Sequence, residues 1–596
     1  MMNFPKVLLF AAVSALLVAC GSDEVDCKRC GTNEVIVHLS SDLDKINPVL
    51  SSSANSSEVE RFIFEGFLDI DPETFEYLPI LVESRPEITE TQVEWLGETK
   101  DGFEITYRLR DEATWNDGTP ITGYDAAFSL KMIKNPKVDC SHLRPYYDFV
   151  IDIRVNEDDP KEFTLVCQDT YFMSEIWSSL TMYPKHHYDP DGLLDAYTIP
   201  QLSDPDQLAE ISGDDALIDF AAMFHDEKFQ REAGFVNGSG PYLLEKWETG
   251  QRVVLVKNPD WWGQDLVGEV DGFSNYPDKL IYEIIVDQTT AVTALKDEGV
   301  DVMGRVPAKD FVKLLENEAT TALYDLQTPL QFSYSYIGLN MRRPQLADKR
   351  VRQALSMAVD YESINEVLLY DYGVRTVGPI HPSKDYYNES IEPYQYDLER
   401  ASQLLDEAGW IDEDGDGVRE KEVDGEVLAL DLALKLPAGS DTGEKIGLMM
   451  QKDLAGIGVK IEIVTKEWTV FLDENKNHDF DMYSAGWIAA PTLADLKQIW
   501  HTASYNGGSN YVGFGDERSD EIIESIRYEM NEEVRNQLYF EIQEIIHEEA
   551  PYIFLFSTKN KVAIHKRFDN ATAHVKRPGY QESQFILQPE WQPTQP

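Results

Sequence analysis

The sequence predicts an α/β protein made of several lobes that share one chain. At about 150 residues per lobe, the 596 residues allow roughly four lobes. The hydrophobic fraction of 42% is enough for large cores and excludes general disorder. Segments with strand-like alternation are interspersed with segments of helical periodicity, and no clean linker separates them. We therefore expect lobes between which the chain crosses more than once.

The predicted strands and helices follow from the spacing of the apolar residues. Alternating or dense apolar positions predict strands at 33–39, 103–110, 161–168, 252–257 and 280–286. Apolar residues at helical spacing predict helices over 351–369, 398–408 and 519–549, the last as one or two long acidic helices. For the second of these helices, Asp397 is the predicted N-cap and Gly409 the stop.

The first twenty residues predict an export signal with a lipid anchor. Lys6 precedes the apolar run 7–18, whose 12 residues are too few to span a bilayer comfortably. The run ends at a small residue before Cys20, which resembles the bacterial lipoprotein signal, where cleavage precedes a lipid-carrying cysteine. An ordinary secretory signal is the alternative. We expect residues 1–20 to be the signal peptide, Cys20 the anchor and 21–32 a tether.

The remaining cysteines indicate disulfides in an exported protein. Cys27, Cys30, Cys140 and Cys167 are even in number and allow three pairings. The CxxC at 27–30 also fits a redox motif or half a zinc site, but it lies in a polar tether without a second CxxC. We predict a local disulfide there, which leaves Cys140 to pair with Cys167.

Charge and motifs exclude several classes of protein. With 107 acidic and 52 basic residues the net charge is −55, which argues against nucleic-acid binding and anionic lipid surfaces. No GxSxG elbow or phosphate loop is present, and 547–551 lacks the second histidine of a zinc protease motif. We therefore expect no catalytic residues and no cofactor.

One acidic turn resembles part of a calcium loop. Asp412, Asp414 and Asp416 alternate around a glycine as oxygen ligands do in such loops. Position 12 of an EF-hand would be Val423, and the acidic residue falls one place early at Glu422. We interpret the turn as a solvated acidic loop, with a Ca²⁺ site at the three aspartates as the alternative; no other metal site is expected.

Several short segments follow one another in an order that is typical of one protein family. They are 101–110 with 115–120, 238–242, 257–262, 299–302, 336–340, 348–355, 397–410 and 479–487. Together they span about 35–560 and resemble the family 5 solute-binding proteins of ABC importers, which include dipeptide, oligopeptide and nickel binders. Asn116 replaces the histidine that is usual in the family, and 123–126 replaces its "AxDV".

The resemblance implies a two-lobed periplasmic-binding-protein-like fold of type II, with an extra inserted subdomain and a ligand cleft between the lobes. By this resemblance lobe 1 comprises 33–60, 200–338 and 555–596, the inserted subdomain 61–199, and lobe 2 339–554. Hinge strands are expected near 336–340 and 553–557.

The implied function is capture of peptides or peptide-like solutes by lobe closure, and delivery to permease subunits with an associated ATPase. The protein is expected to be a monomeric, extracytoplasmic lipoprotein that contacts the membrane only through its anchor. One alternative is a binder of a non-peptide solute such as a sugar, an opine or a metal chelate. An exported hydrolase with an unrecognised carboxylate site is the alternative from another class.

The expected ligand-binding residues come from the family segments. They are Ser52, Ser53, Ala54, Asn55, Tyr147, Tyr336, Trp487, Ala490 and Asp495. Residues 52–55 precede 64–66, where peptide binders of the family offer backbone groups to the ligand as an added strand. In peptide binders of the family an aspartate at the position of Ala490 pairs with the peptide's α-ammonium. Either Asp495 substitutes for it, or the ligand lacks a free α-amino group, which is the interpretation we prefer.

Overall fold

The computed structural model describes residues 31–168, 172–489 and 492–591. Within these ranges the chain forms three sheets of four or more strands and three two-stranded sheets, with helices between them. The predicted α/β class is thereby confirmed. The predictions for Cys20, Cys27, Cys30 and Ala490, and for the signal peptide, fall on residues outside the described ranges.

The largest sheet has seven strands, most of them from the first half of the chain. In spatial order they are Tyr324–Gln327, Val562–His565, Val302–Met303, Glu34–Leu39, Lys279–Ile284, Arg252–Lys257 and Tyr242–Glu248. The strand Glu34–Leu39 is parallel to both of its neighbours, whereas the strands at the two ends pair antiparallel. One strand from the end of the chain, Val562–His565, therefore completes a sheet that begins at its start.

The second sheet has six strands from the second half of the chain. In spatial order they are Gly373–Arg375, Tyr552–Thr558, Ser333–Leu339, Met482–Ile488, Asp431–Pro437 and Lys460–Lys466. The chain passes from the first sheet to the second between Gln327 and Ser333, and returns between Thr558 and Val562. The expected crossing of the chain between two lobes is therefore present. The expected hinge segments 336–340 and 553–557 lie mainly in strands that pair with each other inside the second sheet.

The third sheet is antiparallel and belongs to an inserted part of the chain. Its strands are, in order, Glu87–Trp95, Glu98–Arg108, Glu162–Cys167 and Val150–Val155. The two-stranded sheets are Leu68–Ile70 with Tyr77–Pro79, Glu420–Val423 with Glu426–Ala429, and Phe568–Asp569 with Ile586–Leu587.

The α-helices cover the sheets and the segments between them. They are Ala54–Glu60, Gly123–Lys134, Ser174–Ser178, Lys185–Tyr188, Ile199–Ser203, Pro205–Ile211, Asp215–Phe224, Lys228–Arg231, Gln288–Lys296, Ala308–Leu315, Glu318–Leu323, Lys349–Met357, Tyr361–Val367, Leu398–Glu407, Asp441–Ala455, Trp468–Lys476, Lys497–Trp500, Glu517–Tyr528 and Glu532–Glu549. Among the described residues no helix is both long and apolar enough to cross a membrane.

Most predicted elements form where the apolar spacing places them. Leu398–Glu407 starts behind Asp397, whose side chain accepts a hydrogen bond from the Arg400 amide, and ends before Gly409 at φ +82°. The segment 351–369, predicted as one helix, is two helices in the structure. The break falls at Ala358–Asp360, where the Asp360 side chain caps the second helix by accepting from the Ser363 amide.

The predicted pairing of Cys140 with Cys167 is wrong in this structure, because both residues are buried free thiols. Each sulfur instead lies near a carbonyl of its own neighbourhood, Ile133 O at 3.3 Å from Cys140 and Leu165 O at 3.9 Å from Cys167. Burial raises the pKa of both thiols above the usual value, so neither is a reactive thiolate at neutral pH.

Candidate ligand-binding site

The strand Met482–Ile488 has one edge that is only partly paired. Along its whole length one side pairs with Ser333–Leu339. On the other side only Met482 and Tyr483 pair, with Leu434 and Lys435, and no further strand follows among the described residues. The backbone of 484–488 therefore presents an open edge, which is a template for another extended chain.

Side chains along this edge leave room for an approaching backbone. Gly486 is exposed, Trp487 is half-buried and Ile488 is 49% exposed. A glycine inside a strand commonly marks a place where another backbone comes close. The edge is thus suited to main-chain recognition.

A cavity of about 270 Å³, which we call the basic cavity, lies at the Ile488 end of this strand. One wall consists of Leu330, Gln331, Phe332, Ile488 and Ala489. The other wall comes from segments beside the first sheet and carries four basic side chains: Arg305, His574, Lys576 and Arg577. The cavity therefore lies between parts of the chain that belong to the two large sheets.

A second cavity, of about 310 Å³, lies at Thr492 and is called the apolar cavity here. Its other lining residues come from the first half of the chain: Pro48, Val49, Leu68, Ile70, Ile133, Leu143, Tyr147, Met173, Trp177, Ser179 and Thr181. The aromatic rings of Tyr146 and Trp177 stack at 3.9 Å beside it. No charged side chain lines this cavity in the described part of the chain.

The two halves of the molecule touch near the apolar cavity. The Tyr146 hydroxyl donates a hydrogen bond to the Gln498 side chain, and the Phe172 amide donates to Arg527 O at 2.9 Å. The Arg535 guanidinium lies 5.7 Å from the centre of the Phe172 ring. These contacts hold the inserted part of the chain against the helices that follow Thr492.

Two of the expected aromatic residues have different surroundings. Tyr336 is 1% exposed, stacks on Tyr552 at 3.9 Å, and its hydroxyl lies 3.1 Å from that of Tyr483. It is a core residue in this structure, not a wall of either cavity. Trp487 is half-buried against the same aromatic core, and its buried Nε1 has no hydrogen-bond partner among the described residues. Tyr147 lines the apolar cavity.

The segment 52–55 starts a helix and is not an extended strand. Ser53 is the N-cap of Ala54–Glu60, and its side chain accepts from the Asn55 amide at 3.2 Å. The amides of Ser52 and Ser53 donate to the Asp44 carboxylate. These backbone donors are therefore already satisfied within the chain. None of the four residues lines either cavity described above.

Asp495 already has a cationic partner inside the protein. Its Oδ2 lies 3.1 Å from Arg527 Nε, and its Oδ1 accepts from the Lys497 amide at 3.0 Å. Both side chains of the ion pair are about nine-tenths buried. The sequence does not reveal Arg527 as a partner of Asp495. In the structure Asp495 has a structural role, and whether it also meets a ligand ammonium stays a prediction.

The acidic turn brings a fourth carboxylate to the three predicted aspartates. Oxygens of Asp412, Asp414, Asp416 and Glu420 lie within 4.8 Å of one another. They accept hydrogen bonds from amides of the same loop, including Gly415 at 2.8 Å and Glu413 at 2.9 Å. The loop lies at the hairpin Glu420–Val423, away from both cavities. The Ca²⁺ alternative stays a prediction from the sequence.

Comparison with known proteins identifies the chain's relatives. The oligopeptide-binding protein AppA of Bacillus subtilis is 26% identical over 547 residues, which are 91% of this chain and 89% of that protein. The solved structure of that protein in complex with a nonapeptide superposes with a TM-score of 0.74 at 24% identity, covering 94% of this chain and 99% of the other. NikZ from Campylobacter jejuni, in complex with Ni(L-His), gives a TM-score of 0.73 at 21% identity, with 93% and 99% covered.

These structures confirm the predicted two-lobed fold. Residues 76–509 match the family described as bacterial extracellular solute-binding proteins, family 5. This match covers more than half of the 596 residues. The chain therefore belongs to family 5 of the bacterial extracellular solute-binding proteins.

Proposed function

We propose that this protein is the substrate-binding component of an ABC importer and that it captures peptides or peptide-like solutes. Binding closes the two lobes over the solute, which is then delivered to permease subunits with an associated ATPase; no chemical step is involved. The single observation that supports a peptide as the ligand is the open edge of 484–488. The likeness to the oligopeptide-binding protein of Bacillus subtilis supports the same ligand class.

An open strand edge recognises what all peptides share. Backbone N–H and C=O groups of an extended peptide pair with the edge whatever the side chains are, and pockets beside the edge then select side chains. Exposed Gly486 allows the close approach that this pairing needs. The basic cavity next to Ile488 and the apolar cavity at Thr492 supply the pockets. A sugar or a metal chelate has no extended backbone and makes no use of such an edge.

Calorimetric titration of the protein tests this proposal, after it has been unfolded and refolded to remove solute from the expression host. The titrants are a defined pool of tripeptides to nonapeptides, a pool of mono- and disaccharides, and nickel–histidine. We expect saturable binding of the peptide pool alone. Melting in the presence of excess peptide should show a rise in stability of about 2.7 kcal/mol at one hundred times Kd. Binding of a sugar or of nickel–histidine without peptide binding would contradict the proposal.

The lobes of the protein are proposed to be 33–60, 200–338 and 555–596 for lobe 1, with 61–199 inserted in it, and 339–554 for lobe 2. The chain crossings at 328–332 and 559–561 support two lobes with two connections, because each joins a strand of one large sheet to a strand of the other. The proposed boundaries lie a few residues away from these crossings, inside the strands Ser333–Leu339 and Tyr552–Thr558 of the second sheet. Short crossing segments of this kind are suited to hinge closure.

We further propose that the protein is a monomeric extracytoplasmic lipoprotein anchored through Cys20. The apolar run 7–18 followed by a small residue and Cys20 supports this proposal. Two or more acyl chains give stable attachment. Cys20→Ser should move the protein from the membrane pellet to the supernatant, and a variant that still pellets after a salt wash would contradict the anchor.

A further inference from the structure

Two arginines in the wall of the basic cavity share a single carboxylate. Nη2 of Arg305 and Nη2 of Arg577 both donate to Oε1 of Glu58, the second at 3.4 Å. Glu58 is 3% exposed, whereas the side chains of Arg305 and Arg577 are 46% and 27% exposed. The Glu58 carboxylate thus lies behind the wall of the basic cavity, and the two guanidinium groups line the cavity itself.

The charges around this wall do not balance. Among the described residues neither arginine has another ion pair, so two positive charges meet one negative charge. Lys576 is neutralised separately, since its ammonium donates to Asp69 and to Ile70 O. One unit of positive charge therefore remains without a counter-charge within 4 Å, in a protein whose net charge is −55.

A buried imidazole in the same cavity also has unused hydrogen-bonding capacity. Both ring nitrogens of His574 are buried, and neither makes a hydrogen bond of good geometry among the described residues, although a contact with the Lys576 backbone raises the pKa of the ring. Buried polar groups in native proteins are nearly always satisfied, so at least one ring nitrogen in this cavity wall is open to a water or a ligand group. His574 lines the basic cavity and a smaller neighbouring cavity of about 160 Å³.

The backbone holds Arg305 in an uncommon conformation. Its φ is +56°, in the left-handed region, and its amide donates to Asn560 Oδ1 at 3.1 Å. A side chain other than glycine in this region carries strain of about 1–3 kcal/mol, and such residues cluster at ligand clamps. The conformation therefore fits a residue whose side-chain position is needed.

We propose that the basic cavity binds a carboxylate of the ligand between Arg305 and Arg577, with His574 beside it. This inference rests on the proposed function: the bound peptide places that carboxylate next to Ile488, at the end of the open edge. The ligands are therefore peptides or peptide-like acids with an anionic group at this end. An arginine pair favours a carboxylate because guanidinium donors match its two oxygens.

The experiment compares three synthetic pentapeptide pools of matched apolar composition. One has a free terminal carboxylate and no acidic side chain, one is amidated and has none, and one is amidated but carries a single glutamate. Affinity selection on the refolded wild-type protein, followed by calorimetry on the best binder of each pool, gives the affinities. We expect the free acid, the glutamate peptide or both to bind at least tenfold more tightly than the plain amide.

Which pool binds more tightly identifies the source of the carboxylate. A preference for the free acid indicates the terminal carboxylate, and a preference for the glutamate amide indicates a side chain. Equal affinity of all three pools overturns the carboxylate site and leaves the proposed function standing. Failure of every pool to bind overturns the proposed function, and the carboxylate site with it.

Arginine variants then test whether the affinity for a carboxylate depends on Arg305 and Arg577. Arg577→Gln and Arg305→Gln are made singly, because each leaves one guanidinium with buried Glu58, whereas loss of both leaves that carboxylate unpaired. Each should reduce affinity for the carboxylate peptide about tenfold and leave the amide unchanged. Arg577→Lys, which keeps the charge, should recover part of the loss. The matched control is Arg154→Gln, which removes the same charge at an exposed pair with Glu104. Equal losses in the control and the cavity variants would overturn the assignment.

Discussion

The basic cavity is lined by Ile488 and the apolar cavity by Thr492, yet the chemistry of the two cavities is opposite. The first has four basic side chains and an unbalanced positive charge. The second is larger, has no charged lining residue among the described ones, and is walled by leucine, isoleucine, methionine and aromatic rings. A solute that reaches both cavities meets a cationic wall in one and an apolar wall in the other.

The difference in charge between the two cavities fixes the orientation in which a peptide binds. An apolar side chain gains about 25 cal/mol for each Å² it buries, whereas a carboxylate buried there without a partner would be strongly disfavoured. The reverse holds beside Arg305 and Arg577. The two cavities therefore bind the two ends of a peptide differently, while the open edge of 484–488 binds its backbone without regard to sequence.

Asp495→Asn should have the largest effect, on stability. The Asp495–Arg527 pair fixes the chain that follows Thr492, and its loss leaves buried Arg527 with the longer contact to Glu524, at 3.5 Å. We expect a loss of about 3 kcal/mol in the free energy of unfolding, measured by urea denaturation, with peptide affinity within threefold of wild type. Glu541→Gln, at the exposed pair with Arg518, is the control and should lose less than about 1 kcal/mol.

A result for Asp495→Asn in which affinity is lost and stability is kept would change the chemistry assigned to the apolar cavity. Unchanged stability, with affinity lost for free-amine peptides and kept for their N-acetylated forms, would mean that Asp495 meets a ligand ammonium. A cationic ligand end would then lie near the apolar cavity.

Gly486→Val should weaken binding of all peptides by tenfold or more, whatever their side chains. The new Cβ would lie 3.3 Å from Tyr334 O of the paired neighbouring strand, and the methyl groups on exposed residue 486 would hinder an approaching backbone. Gly486→Ala should fall between wild type and valine. Calorimetry with two unrelated peptides measures the loss, and the melting temperature monitors the fold. Undiminished affinity for both peptides would rule out main-chain pairing at this edge.

Thr492→Trp should separate the two cavities by filling one of them. The larger side chain occupies part of the apolar cavity of about 310 Å³ and leaves the basic cavity untouched. A peptide with a large apolar side chain should lose about tenfold in affinity, and the same peptide with alanine at that position should lose little. Equal losses for both peptides would show that the apolar cavity does not select side chains.

His574→Gln should have the smallest effect, visible only in acid. Burial, with Arg61 and Lys576 nearby and Asp71 opposing them, lowers the pKa of His574 from 6.5 to about 4. The folded state therefore resists protonation, and its stability is present above pH 6.5 and falls as the pH drops towards 4. At pH 5.5 the wild type should have lost about 1 kcal/mol more than the variant, relative to pH 7.

The pH dependence of stability should also be measured for wild type and His574→Gln in the presence of a carboxylate peptide. A bound anion beside His574 favours the imidazolium, so the difference between wild type and variant should shrink. His381, whose pKa burial also lowers to about 4, is common to both proteins and cancels. An identical pH profile for wild type and variant would place His574 in contact with solvent.

Local patterns in the sequence predicted much of the fold. The helix behind Asp397 and the strands at 34–39, 252–257 and 279–284 formed where apolar spacing and capping chemistry indicated, because these depend on neighbours in the chain. The order of short motifs identified the family and, through it, the two-lobed fold.

Features that depend on distant residues could not be predicted in this way. The alternation around Tyr336 does not reveal that it stacks on Tyr552, nor does Asp495 reveal Arg527. The basic cavity unites Arg305 with Arg577 through buried Glu58, and no spacing in the sequence brings these three residues together. In a chain with so many acids, the unbalanced charge becomes visible only once each carboxylate has been paired.

The most direct test of the account is native mass spectrometry of the protein purified from its own host, followed by release and sequencing of the bound solute. We expect the released solute to be a peptide or peptide-like acid that carries at least one large apolar side chain and a free carboxylate. A bound solute without amide bonds, or a peptide lacking any carboxylate, would contradict it.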